Sequence, residues 1–282
     1  MKLAVSNIAW KEQHDEAVYA LMRHYGFTGL EIAPTRFFPE VPYSHLIPMQ
    51  KLAARLREHG FTLPSMQSLL AGHPELRLFE GTEKREALFA YLKQAVLFAE
   101  AGGIRNLVFG SPKNRISHDE KDWETAIDFF TKLAHFASAH GCVIGMEPNP
   151  GIYGGNFVTS VKEAIHLCQA IAHPGFKLNL DTGCVITNGE LLSLVADKVH
   201  MISHVHLSEP MLAPLTPRKR LLTDLKRILE DGGYEHFVSI EMSCPAKGYP
   251  IQNMENSLSL VAGIWNLSLI HISEPTRPRL IS

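Results

Sequence analysis

IGMEPNP at Ile144–Pro150, LNLDTG at Leu178–Gly183, HVHLSEP at His204–Pro210 and SIEMSCP at Ser239–Pro245 share one grammar. Each is a short apolar run that ends in a carboxylate or a histidine and then turns, as a buried parallel strand does when it delivers a side chain to its C-terminal edge. The residues delivered are Glu147, Asp181, His206 and Glu241. Intervals of about 25 to 35 residues separate them, each long enough for a crossover helix and the next strand. Hard and borderline ligands converging from four successive strands make a divalent metal site.

Working outward, the rest of the chain repeats the same unit. Strands are expected over Leu3–Trp10, Gly29–Ala33, Thr62–Leu70, Asn106–Phe109, Cys142–Met146, Phe176–Leu180, Met201–Leu207 and Phe237–Met242. Between them, helices are expected over Asp15–Tyr25, Pro48–His59, Glu83–Glu100, Asp119–His140, Ser160–Ala172, Glu190–Val199, Pro217–Glu230 and Met254–Trp265. Gly26, Gly60, Gly102 with Gly103, and Gly141 supply stop signals. Leu88, Leu92, Ala95, Val96 and Ala99 fall at helical spacing on one face. Eight such βα units predict an α/β protein built as a single (β/α)8 TIM barrel over residues 1–266, with its site at the C-terminal ends of the strands. A doubly wound sheet is the alternative, but the first strand and turn lack the GxGxxG fingerprint.

Composition fits a soluble enzyme: 282 residues, 45% hydrophobic and 20% charged. A net charge of −2 offers no footprint for nucleic acid. No apolar run approaches membrane-spanning length, and the N-terminus is too short and polar in its apolar run for a signal peptide. Cys142, Cys168, Cys184 and Cys244 show no paired spacing, so neither a disulfide framework nor a zinc knuckle is indicated and a reducing cytoplasm is expected. Barrels of this kind often pair through outer helices, so a homo-oligomer is one expectation.

The strand period of two puts Asn179 on the side of Asp181, His204 on that of His206 and Ser239 on that of Glu241. His204, one layer deeper, is expected to be a buried support for His206 rather than a ligand. Glu31 and Gln67, on the second and third strands, are candidates to bind a substrate hydroxyl, with an ion pair as the other reading of Glu31. Trp10 is a candidate wall for a substrate, or else core. In the loop SPKNR, Lys113 and Arg115 are candidates for a phosphate or carboxylate on the substrate, or else solvated loop charges. Glu209 is a candidate to orient the substrate, or else a turn carboxylate.

MEPNP, LDTG, HVHLSEP and SIEM, with GFTGLEIAP at Gly26–Pro34, resemble the xylose isomerase-like barrel superfamily. Within it they resemble the sugar phosphate isomerase/epimerase family, which includes ketohexose 3-epimerases, hydroxypyruvate isomerases and inosose dehydratases. The resemblance implies that Glu147, Asp181, His206 and Glu241 bind one metal and that Glu147 and Glu241 are the acid/base pair. Cys184 departs from it, since the family often has histidine after LDTG. That loss argues against the multinuclear zinc centre of the superfamily's abasic-site endonucleases.

The chemistry expected is proton abstraction next to a carbonyl, with the two glutamates on opposite faces of one carbon and a divalent metal bearing the enediolate charge. Three carboxylates and one imidazole favour Mn²⁺ or Mg²⁺, with Co²⁺ or Zn²⁺ as alternatives. The expected substrate is a small sugar, keto-sugar or sugar phosphate. A metal-dependent lyase resembling inosose dehydratase is the runner-up, an abasic-site endonuclease a weaker one, and a non-catalytic sugar-binding barrel the reading from another class. Residues 267–282, containing LSLIHISEPTR, resemble the translation of a sequencing adapter and are expected to be a non-native tail.

Overall fold

The computed structural model describes residues 1–245 and 249–265. Eight parallel strands run as β1 (Lys2–Ser6), β2 (Gly29–Glu31), β3 (Ser65–Met66), β4 (Asn106–Phe109), β5 (Val143–Met146), β6 (Phe176–Asp181), β7 (Ile202–Leu207) and β8 (Phe237–Ile240). They are ordered β2-β1-β8-β7-β6-β5-β4-β3. The ends of that ladder meet, because Leu30 N–H donates to Thr62 O (2.9 Å), Ile32 N–H to Ser65 O (3.1 Å) and Gln67 N–H to Ile32 O (2.9 Å). These bonds bring β2 against β3 and make the sheet a nearly closed barrel. The expected TIM barrel is the fold observed.

Helices α1 (Asp15–His24), α2 (Leu46–Glu58), α3 (Thr82–Gly102), α4 (Lys121–Ala139), α5 (Val161–Ile171), α6 (Thr182–Asn188), α7 (Lys219–Asp231) and α8 (Pro250–Trp265) accompany the strands. Along α3 the stripe Leu88, Leu92, Ala95, Val96 and Ala99 is fully buried, as its spacing predicts. The main hydrophobic core lies between helices and strands. Inside the barrel, Ser6, Asn106, Asn179, His204 and Ser239 are buried polar groups, unlike the branched aliphatic filling common in such barrels. This polar interior supports the residues at the mouth.

Three segments differ from expectation. The first strand ends at Ser6 and passes into a 3-10 turn, Asn7–Ala9. The third keeps only Ser65–Met66, because Ser68 turns left-handed (φ 56°). After β6 the helix starts at once, over Thr182–Asn188, where the sequence suggests Glu190–Val199; that later segment carries a short 3-10 turn, Leu192–Val195. Asp181 is the cause. Its side chain accepts from Gly183 N–H (2.7 Å) and caps the new helix, while left-handed Gly189 ends it. Among the described residues no helix is long and apolar enough to cross a membrane. The expected non-native tail lies outside the described residues.

Candidate metal centre and active site

His206, at the end of β7, is the hub of the barrel mouth. Its Nδ1 lies 2.7 Å from Glu147 Oε1 and 3.2 Å from Glu241 Oε2. Glu147 follows β5 directly and Glu241 follows β8, so the two carboxylates approach one ring nitrogen from opposite flanks. Ligand atoms of Glu147, His206 and Glu241 all lie within 4.8 Å of one another. The other ring nitrogen, Nε2, faces Glu31 at the end of β2, 3.0 Å from Oε1 and 3.1 Å from Oε2.

Asp181 lines the same cavity as Glu147 and Glu241. Its Oδ1 is taken by Gly183 N–H and the Ser208 hydroxyl, while Oδ2 accepts no hydrogen bond from the described residues. The cavity, about 190 Å³, is further lined by Gln67, Asn149, Tyr153, Ile8, Val108 and Leu212. Asn149 Nδ2 donates to Glu147 Oε2 (3.2 Å) and Asn179 Nδ2 to Glu147 Oε1 (2.9 Å), which fixes this carboxylate from two sides.

Charge is concentrated here. Burial, then the neighbouring Glu147 and Glu241, push the Asp181 carboxyl up to about 7. Burial also raises Glu241, with Glu147 adding to it and His206 opposing. For His206 burial works the other way, but Glu241 and Glu31 overcome it and raise its imidazolium well above the ordinary range. Burial would likewise raise Glu31, yet His206 and His204 hold it well below the usual carboxylate value. Carboxylates crowded around one imidazole at the floor of a cavity form a donor set suited to a divalent cation, which would replace the protons they now share. The residues present fit such an ion.

The remaining residues singled out in the sequence take varied places. Gln67 lines the cavity and donates through Nε2 to Ser6 Oγ (2.6 Å). His204 is buried, its Nε2 3.4 Å from Glu31 Oε1 and its ring edge-on to that of His206. Of four others, Glu31, Trp10 and Glu209 take the second of their two readings, and Arg115 follows neither. Glu31 is 0% exposed and faces His206, His204 and Ser239 rather than open space for a sugar hydroxyl. Trp10 is core: its ring packs edge-on to Tyr19 and its indole N–H donates to Asp15 Oδ1 (2.7 Å). Arg115 is fully buried, and its guanidinium donates to Phe157 O (3.0 Å), Phe109 O (3.0 Å), Glu147 O (2.7 Å) and Asn149 Oδ1 (2.9 Å). It ties the end of β4 to the segment after β5 and so steadies Glu147. Glu209 turns away to an ion pair with Arg218 Nε (2.9 Å) and to Thr216.

Lys113 is exposed on the 3-10 turn Pro112–Asn114, whose Pro112 lines the cavity instead. Cys184 Sγ sits on α6 against Thr159 O (3.7 Å) and Glu190 Oε2 (3.9 Å).

Residues not singled out include Asn149, Asn179, Tyr153, Ser208 and Ser239. The period of two pointed to Asn179 and Ser239 as neighbours of Asp181 and Glu241, and Asn149 stands two residues after Glu147. Tyr153 arrives on the 3-10 turn Gly151–Tyr153 and accepts from Met211 N–H (2.8 Å), a loop contact without a local sequence signal.

The family model of the xylose isomerase-like TIM barrel matches residues 19–261. No curated protein matches the chain. Among solved structures, the chain is similar to 3-keto-D-glucoside 4-epimerase from E. coli (TM-score 0.74, 16% identity, 93% of this chain and 99% of that one). D-psicose 3-epimerase from Clostridium cellulolyticum is similar too (TM-score 0.72, 17% identity, 96% and 99%). So is the IolI protein, in a structure with a bound zinc atom (TM-score 0.69, 15% identity, 94% and 99%). At these identities the likeness is one of fold.

Proposed function

The chain belongs to the xylose isomerase-like TIM barrel family, and from that premise we propose that it is a divalent-metal-dependent isomerase or epimerase of a small sugar, keto-sugar or sugar phosphate. One observation carries the reading: Glu147 and Glu241 flank the same His206 nitrogen, at 2.7 and 3.2 Å, and both face one small cavity. At about 190 Å³ that cavity suits a molecule of monosaccharide size rather than a drug-sized ligand. Gln67, Asn149 and Tyr153 supply polar contacts for hydroxyls, while Ile8, Val108 and Leu212 offer apolar surface to the carbon face.

The metal would be held by Glu147, Asp181, His206 through Nδ1, and Glu241, with Mn²⁺ or Mg²⁺ favoured by the carboxylates and Co²⁺ or Zn²⁺ as alternatives. When bound, such an ion stabilises negative charge developing on the substrate oxygens. One glutamate takes the proton from the carbon beside the carbonyl, and the other returns one from the opposite side. Asn149 and Asn179 hold the Glu147 carboxylate in place for that transfer. With the two glutamates on opposite faces of that carbon, the transfer would invert it.

Proton NMR in D₂O tests this directly. Metal-stripped protein given Mn²⁺ and a panel of ketoses, ketose phosphates and hydroxypyruvate should exchange one carbon-bound proton and accumulate an isomer. Glu147→Gln should reduce that exchange by at least about 100-fold, the scale of a lost general base. Loss of water from the substrate would turn the reading to a lyase. No exchange on any candidate would sink the isomerase assignment.

A further inference from the structure

We propose that Glu31 is a positioning residue for the metal centre, fixing which nitrogen of His206 carries hydrogen and which is presented to the ion. The inference rests on the metal reading above. Glu31 does not line the cavity; it acts from behind the histidine. Both its oxygens approach His206 Nε2, at 3.0 and 3.1 Å, and Oε2 also accepts from Ser239 Oγ at 2.9 Å.

A carboxylate is an acceptor only, so Nε2 must bear the hydrogen between them. In the neutral imidazole Nδ1 then holds the lone pair, and Nδ1 is the atom that faces Glu147 and Glu241. Without Glu31 the ring is free to place its hydrogen on Nδ1, donating to Glu147 and closing the coordinating position. The carboxylate also limits rotation of the ring, because Nε2 is held by two oxygens at nearly equal distance.

Packing offers no equal account of Glu31. It is 0% exposed, and the described residues give it no lysine or arginine partner, only His206, His204 and Ser239. A buried carboxylate is a costly way to fill space, and a Gln or Met of similar length fills it without that desolvation. The return is on the far side of the imidazole, where a ligating histidine gains basicity and orientation from such a partner.

The test is Mn²⁺ titration of the full chain, read by electron paramagnetic resonance, for the unaltered protein, Glu31→Gln and Ser239→Ala. Glu31→Gln should weaken Mn²⁺ binding by about 10- to 100-fold. Ser239→Ala, which loosens Glu31 without removing a hydrogen bond of the His206 ring, should weaken it by a smaller factor and keeps the test alive if the first variant does not fold. In the Zn²⁺-loaded state, where coordination through Nδ1 leaves the hydrogen on Nε2, the Nε2–H proton of His206 should resonate far downfield and exchange slowly in the unaltered protein. In Glu31→Gln, where a neutral amide replaces the carboxylate acceptor, it should move upfield and exchange faster, a change that general destabilisation would not produce. Affinities within about threefold of the unaltered protein, with the Nε2–H proton signal unmoved, would overturn the role of Glu31 alone. Failure of the unaltered protein to bind Mn²⁺ would overturn the metal reading, and this inference with it.

Discussion

Gly110, the residue after β4, stands where any side chain would collide with the candidate site. A Cβ built there falls on Glu147 Oε2, far inside van der Waals contact, and lies only 3.1 Å from Glu147 Cδ. To regain an ordinary separation the carboxylate must retreat by at least about 1 Å. That is several times the tolerance of about 0.2 Å on a metal–ligand distance. The carboxylate also cannot retreat freely, since Asn149, Asn179 and His206 hold its two oxygens at 3.2, 2.9 and 2.7 Å. Gly110→Ala should therefore weaken Mn²⁺ binding, and should lower proton exchange by about 100-fold, the usual consequence of a misplacement near 1 Å. Gly151→Ala is the control, because a Cβ there meets nothing within 4 Å. Metal titration and exchange in D₂O, run on both variants, decide the matter. If Gly110→Ala binds Mn²⁺ and turns over within about threefold of the unaltered protein, Glu147 is not the ligand and base that the site requires.

Stripping the metal should lower the melting temperature: an ion present at about 100 times its Kd adds roughly 2.7 kcal/mol, and equal melting with Mn²⁺ and with chelator would remove the ion from the account. Arg115→Met should cost at least about 3 kcal/mol in urea unfolding, since it strands Phe109 O, Phe157 O, Glu147 O and Asn149 Oδ1 without their donor. A loss below about 1 kcal/mol would show that water replaces the guanidinium readily. Gly263→Ala, inside α8 where a Cβ meets nothing within 4 Å, should add about 0.5–1 kcal/mol by the same measurement, and a loss there would mean that α8 packs more closely at that position.

The barrel was legible because its signal is local and repeated. Each of the four opening motifs is a buried strand ending in a polar residue, and helices such as α3 and α4 declare themselves by their stripes and stops. The failures have equally local causes. Glu190–Val199 looks helical by pattern, but Asp181 caps a helix at once and the chain has used its crossover before reaching that segment. Arg115 looked like a loop cation because sequence shows its charge and not the carbonyls of Phe109, Glu147 and Phe157 that converge on it. Trp10 and Glu209 were taken up by neighbours a few residues away, Asp15 and Arg218, whose pairing depends on where each turn ends.

Glu31 marks the border between what pattern can and cannot tell. Its own stretch, GLEIAP, obeys the rule that picked out the four ligands: an apolar strand carrying a carboxylate, then proline. The rule finds a carboxylate aimed at the barrel axis. It cannot say which side of His206 that carboxylate meets, and the side decides the chemistry. Glu147, Asp181 and Glu241 line the cavity, whereas Glu31, which also ends its strand, lies outside that lining and meets His206 at its other nitrogen. Its partner lies 175 residues away in sequence. A histidine able to ligate an ion on one edge is thus held on the other by a carboxylate that four separate strand lengths bring to the right layer, and only the closed barrel sets those lengths against one another.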